Sequence, residues 1–216
     1  DIETIGFDFS TLDTTSQEAL MKHAHTDEEK AQVPNTMGFS PLTGEIVAVA
    51  LMNPESGKGA VYAQAPGADP FDLEEDGVRY VSKTEPEILA EFWQAVSYYD
   101  QVVTFNGRGF DVPFLMVRSA IHKIRPSKNL MGNRYWDNHI DLYDRLGFFG
   151  AVRRTMGLHM WCKAFGIESS KDGGISGYQV PEFFAAKRYM EIARYCFDDV
   201  RATAELFSYW SKYMNI

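Results

Sequence analysis

The run EIVAVALM at 45–52 restricts the fold more than any other stretch of this chain. It is apolar at consecutive positions, not alternate ones, so a strand built from it needs covering on both faces. A layered α/β arrangement meets that need. Gly44 supports a turn just before the run. Shorter strand candidates follow at 60–65 and 78–82, separated by an acidic loop at 69–76 that holds five acids and no base. QVVTF at 101–105 is a further buried strand.

Helices alternate with these strands. Thr84, Pro86 and Glu87 form a helix start, with Thr84 and Glu87 spaced for a capping box and Pro86 in the first turn. That helix is expected to run to about Tyr99, with Ile88, Leu89, Phe92, Ala95 and Val96 on its apolar face. A helical period resumes at 110–122, and 153–165 reads as a helix ended by Gly166. Residues 169–177 are a Ser/Gly-rich loop. Stretches 181–186 and 189–214 are helical, the second expected to break once between Asp198 and Ala202. Residues 8–40 form a polar insertion, helix-compatible over 16–30, that shapes substrate access or an interface. The expectation is a single domain over 1–216 with three layers and a mixed central sheet.

Composition excludes several classes. An apolar content of 45% with 14% aromatics supplies a real core, which argues against disorder. No run of 18 apolar residues exists, so no membrane-spanning helix is expected. Cys162 and Cys196 follow no metal or disulfide spacing; they read as core residues of a reduced, cytoplasmic protein. A tetrahedral zinc set is improbable with two isolated cysteines and five scattered histidines. The net charge of -9 argues against a passive DNA-coating protein, yet it permits a nuclease whose bound cations bring the positive charge. Bases cluster at 106–134 (Arg108, Arg118, Lys123, Arg125, Lys128 and Arg134). That stretch suits a phosphate backbone or an ordinary solvated helix and loop equally.

Four acids at three places along the chain draw attention. Asp1 and Glu3 are two apart on a strand, so their side chains leave the same face, as oxygen ligands of a hard cation do. The strand is expected to have begun before Asp1, leaving that residue weakly anchored. Asp111 follows a strand and the turn Asn106-Gly107-Arg108-Gly109; it suits a ligand or simply the positive end of a helix dipole. Asn106 has a plain reading as a turn residue. Tyr195 and Asp199 share one helix face, whereas Asp198 is turned away and reads as a surface acid. Four carboxylates in one cleft repel by about 4 kcal/mol per close pair at an effective dielectric of 20, and cations remove that cost.

Three segments, DIET at 1–4, FNGRGFDVPFLMVRS at 105–119 and YCFDDVRATAELF at 195–207, resemble the three exonuclease motifs of the proofreading domain of family-B DNA polymerases. His139-Ile140-Asp141-Leu142 is similar to the H-x-D-L segment between the second and third motifs. Tyr195 marks the tyrosine branch of the DEDD, or DnaQ-like, exonucleases; the histidine branch would carry His where Arg194 stands. The resemblance implies a ribonuclease H-like fold and a free-standing enzyme, since 216 residues leave no room for polymerase domains. It also implies 3′–5′ hydrolysis of nucleic acid, single-stranded DNA in the first instance, with two divalent cations, Mg²⁺ or Mn²⁺. By the same resemblance Asp1, Glu3, Asp111 and Asp199 hold the metals, and Tyr195 orients the attacking water and helps take its proton. Asn106, Phe110 and Asp141 stand near the substrate, although Phe105 and Phe110 read equally as packing. Rival readings are a non-catalytic nucleic-acid-binding module on the same fold, and a phosphodiesterase of small nucleotides.

Overall fold

The strand Ile2–Gly6 (β1) follows Asp1 directly, and the polar excursion after it folds as two exposed helices, Thr14–Met21 (α1) and Asp27–Thr36 (α2). The expected helix over 16–30 is therefore two, because Asp13 caps one and Thr26 opens a second through a capping box with Glu29. The excursion is pinned where it returns. Met37 is buried, Thr4 donates to the Gly38 carbonyl at 2.6 Å, and a Cβ on Gly6 would stand 2.7 Å from the Met37 Cβ. Glycine at position 6 is what permits that approach.

The apolar run forms Gly44–Met52 (β2), paired antiparallel with β1 on one side and with Gly59–Ala63 (β3) on the other. Val78–Ser82 (β5) joins β3 in parallel, and Asp72–Glu75 (β4) closes the edge antiparallel to β5. The mixed sheet thus runs β1-β2-β3-β5-β4. Strand β4 corrects the expectation of an acidic loop. Its residues are poor strand formers, but Arg79 forks onto Asp72 at 2.6 and 2.8 Å, and acidic side chains suit a solvent-facing edge.

Register in the centre is set by a bulge. Glu3 stands opposite Ala48 and Thr4 opposite Ile46, leaving Val47 unpaired. The extra residue puts Val47 and Ala48 on one face and Ile46 and Val49 on the other, as the two separate cores show. One core lies beneath Glu85–Ser97 (α3) and Asp111–Ile121 (α4). The other lies beneath Val180–Ala185 (α7) and the first half of Tyr189–Tyr213 (α8). Helix, sheet and helix make the three layers expected.

A second, parallel pair of strands, Val102–Thr104 (β6) and His139–Asp141 (β7), precedes Leu142–Leu146 (α5) and Leu158–Phe165 (α6). The third core joins these elements to the second half of α8 through Ala202, Leu206 and Trp210. The expected break between Asp198 and Ala202 is absent: α8 is one 25-residue helix, because its two halves cover two different sheets. Helix α6 begins five residues later than expected, with Gly157 at its N-cap, and Gly166 ends it in the left-handed conformation (φ 69°). The structure is a computed structural model describing residues 1–154, 156–173 and 176–215; of the expected loop at 169–177, positions 174 and 175 lie outside them.

Candidate active site

Cross-strand pairing decides where the first two acids point. Glu3 lies opposite Ala48, which belongs to the α8 face, and two residues back on that face Asp1 pairs with Ala50. Two alanines at those positions leave room for two carboxylates. Asp1 is not frayed, contrary to expectation: its carbonyl accepts from Ala50 N at 3.0 Å and its nitrogen donates to Ala50 O at 3.2 Å. Ile2 points the other way, into the α3–α4 core.

From α8, Cys196 meets this pair. Its thiol lies 3.6 Å from both the Asp1 carbonyl and Asp1 Oδ2, and single ligand atoms of Asp1, Glu3 and Cys196 fall within 4.8 Å of one another. Cys196 is expected in the core. It is buried, but against the carboxylates as well as the core, and burial raises its thiol pKa well above the ordinary value.

Asp111 arrives from the opposite layer. It is buried at the first turn of α4, and its Oδ1 accepts from Ile2 N at 3.1 Å, stitching β1 to α4. Asp199 sits one turn beyond Tyr195, where α8 crosses between the two sheets, and its Oδ1 accepts from Ser170 Oγ at 2.6 Å. Neither Asp111 nor Asp199 joins the 4.8 Å group. Both, however, raise the proton affinity of Glu3. Burial pushes Glu3 well above the usual carboxylate range, and the charges of Asp199 and Asp111 push it further. Asp111 and Asp199 are themselves raised, chiefly by burial.

Tyr195 is buried, and burial followed by the charges of Asp199 and Glu3 raises its phenol far above the ordinary value; the Ser170 hydroxyl beside it opposes that rise. Ser170 therefore faces both members of the third motif. It lay in a stretch legible only as loop, and nothing in its sequence surroundings marks it. Asp198 is turned away and pairs with Arg201 at 3.1 Å. Arg194 pairs with Glu75 of β4 at 2.8 Å.

The remaining candidates support the site from behind. Asp141 is buried, and its carboxylate accepts from the backbone nitrogens of Asn106 (2.7 Å), Arg108 (2.9 Å) and Tyr143 (3.0 Å). It thus fixes the turn that delivers Asp111, with Asn106 held at φ 61°. His139 is fully buried between Thr104 Oγ1 (2.9 Å) and the Leu130 carbonyl (2.7 Å), and burial lowers its pKa, keeping it neutral. Phe110 packs against Phe114 and Phe105 against Tyr143, so both rings serve the core. The basic stretch is not one surface. Arg118 is buried on Glu85 at 2.6 Å, Arg108 donates inward to the Gly132 carbonyl, and Arg134 pairs with Asp144.

Beside Asp1 and Asp111 a cleft of about 730 Å³ opens between β2 and β6. The carboxylates of Asp1, Glu3, Asp111 and Asp199 are hard oxygen donors, the type that Mg²⁺ and Mn²⁺ take, and the Cys196 thiol is the softer exception; of these, Asp1 and Asp111 line the cleft. No helix among the described residues is long and apolar enough to cross a membrane.

Among solved structures, the chain resembles the family B DNA polymerase from the hyperthermophilic archaeon Pyrobaculum calidifontis, with a TM-score of 0.58 at 22% identity. The likeness covers 80% of this chain and 22% of the polymerase, so it speaks for the fold of one part of that enzyme. No curated protein matches the sequence. Residues 63–215 do match a family, described as "Predicted 3'-5' exonuclease related to the exonuclease domain of PolB", in a stretch that includes Asp111, Tyr195 and Asp199 but not Asp1 or Glu3. On that match, which covers more than half of its length, the chain belongs to this family of predicted 3′–5′ exonucleases.

Proposed function

We propose that the chain is a two-metal-ion 3′–5′ exonuclease that removes nucleotides from single-stranded DNA. The observation that carries this reading is the burial of Glu3 and Asp111, with Asp199 and Asp1 beside them and no Lys or Arg side chain bonded to any of the four among the described residues. A fold that only bound nucleic acid would gain nothing from such a cluster, and its mutual repulsion costs stability.

In this reading Asp1, Glu3 and Asp199 would hold one cation and Asp111 would serve a second, with Asp199 and Asp111 drawing in towards the close Asp1–Glu3 pair. Bound divalent cations would supply the positive charge that phosphodiester hydrolysis needs at neutral pH. The chain's own groups then do the positioning. Ser170 and the α8 packing hold Asp199. Asp141 holds the Asn106 turn, and so Asp111, without touching substrate. Tyr195 would orient the nucleophilic water and help take its proton; a phenol is a poor general base, so acidification of that water by the cations would carry most of the activation.

Tyr195→Phe is therefore expected to lower kcat roughly 10–100-fold, the range for a group that orients a metal site, with Mn²⁺ affinity by calorimetry unchanged. An unchanged kcat would leave Tyr195 a packing residue. The activity itself is tested on a 5′-labelled single strand with Mg²⁺ or Mn²⁺. A ladder descending from full length supports the reading, and scattered internal products from the first time point would overturn it. Parallel RNA and duplex strands test the preference for single-stranded DNA.

A further inference from the structure

On either side of β7 the chain exposes rings that no core accounts for. Tyr135, Trp136 and Phe148 are 62%, 61% and 57% exposed. Tyr135 contacts Phe149 with ring centroids 4.6 Å apart, and the Arg134 and Arg145 guanidiniums lie 5.7 and 5.3 Å from the Phe149 centroid. Exposed rings usually belong to mobile loops, but these are held. Arg145 Nη2 donates to the carbonyls of Tyr135 and Trp136, each at 3.3 Å, and to Asp137 Oδ1 at 2.7 Å. Asn133 Oδ1 accepts from Tyr135 N at 2.9 Å. On the other side of the cluster Phe148 and Phe149 both adopt positive φ, 48° and 55°. Two consecutive phenylalanines in that region are strained, and strain persists where the surroundings enforce it.

From these observations we infer that Tyr135, Trp136 and Phe148 form a stacking platform for the unpaired bases of a single strand whose 3′ end lies in the acidic site. The inference rests on the exonuclease reading for the position of that end. Three features choose a nucleic-acid strand as occupant. Flat, exposed π-faces suit unpaired bases, while Arg134 and Arg145, paired with Asp144 and Asp137, brace the Phe149 ring behind them. Arg153 and Arg154, both exposed, follow three and four residues after Gly150 and form no ion pair among the described residues. The platform is also tied to the site along the chain: α5 begins at the residue after Asp141, which fixes the turn before Asp111, and Arg145 lies on α5 itself. A backbone held in place before binding loses little freedom when its rings stack, which favours their use for affinity.

The test is equilibrium binding of fluorescein-labelled oligothymidylates of two to twelve nucleotides to the Asp199→Asn chain, so that trimming does not enter. Affinity is expected to climb with length and then level off as the platform fills. Trp136→Ala and Phe148→Ala should each weaken binding of the twelve-mer about tenfold, and together they should remove most of the climb. Trp136→Phe, which keeps a ring, should retain most of the affinity, and a blunt duplex of the same length should bind more weakly. The Trp136 emission should also change on binding. Equal affinity of the doubly substituted chain for the twelve-mer, at unchanged Tm, would overturn the platform. That result would leave the exonuclease reading standing, and absent trimming by the parent chain would strike that reading without touching the binding result.

Discussion

An Asp199→Asn chain is expected to fold as the parent does and to lose metal-dependent trimming by more than about 100-fold, since even outer partners of a metal ligand are worth 10–100-fold. The substitution isolates charge from shape. Asn keeps the oxygen that accepts from Ser170 Oγ, and position 199 is fixed by the packing of Ile192, Ala193 and Phe197 on the large sheet, not by its own side chain. What disappears is one negative charge beside Glu3, whose proton affinity Asp199 raises. The metal-free variant should therefore melt above the metal-free parent. Each kcal/mol of relieved repulsion is worth about 2–4 °C in a chain of this size. Retained trimming would remove Asp199 from the site, and a lower metal-free Tm would refute the repulsion on which the reading depends.

Why some of this was legible in sequence and some was not follows from what each residue depends on. The capping box of Thr84 and Glu87 and the limits of β5 are local, and both stand where the pattern put them. Strand β4 was hidden because its stability comes from Arg79 and from pairing with β5, not from the propensities of DLEE. Continuity of α8 through 198–202 was hidden for a similar reason. The sequence there carries no strong helix preference, and the continuity is imposed by two sheets that one helix must cover.

The site divides in the same way. Spacing alone put Tyr195 and Asp199 on one face and turned Asp198 outward, as the structure has them. The hold on Asp1 was not legible, since it rests on both backbone bonds to Ala50 across the sheet. Nor was the alignment of Asp1 and Glu3 with α8, which needs Ala48 opposite Glu3 and hence the bulge at Val47. A one-residue slip there would turn both acids into the α3–α4 core. Ser170 and Asp141 act through contacts 29 and 35 residues away in sequence, a distance at which a single chain carries no pattern. Hence the acids were readable as a set, while the residues that aim them were not.

Divalent cations should raise the Tm of the parent chain, and the rise should grow between pH 5 and pH 8. The sign follows from Glu3, Asp111 and Asp199, all raised in the folded state by burial, with neighbouring acids adding to Glu3. A carboxyl raised on folding binds its proton more tightly in the native than in the unfolded chain. Its contribution to stability is therefore present below the unfolded pKa, near 4, and is lost as pH climbs through the raised folded values. Glu85 runs the other way: burial opposes, but Arg118, Ile46 N and His122 outweigh it and hold it low, so its contribution is lost only on acidification. Working above pH 5 removes the Glu85 contribution to the pH dependence, and His139, whose pKa burial lowers, opposes the fall in Tm only below its unfolded value near 6.5. In EDTA these three acids should then make Tm fall from pH 5 to pH 8. Mn²⁺ binds the charged forms and reverses that slope. At a hundred times its Kd it contributes about 2.7 kcal/mol, or roughly 5–10 °C. The Asp199→Asn chain should show a shallower fall in EDTA and a smaller gain with Mn²⁺. A gain in the parent equal at pH 5 and pH 8, or none at pH 8, would show that these carboxylates do not share a cation.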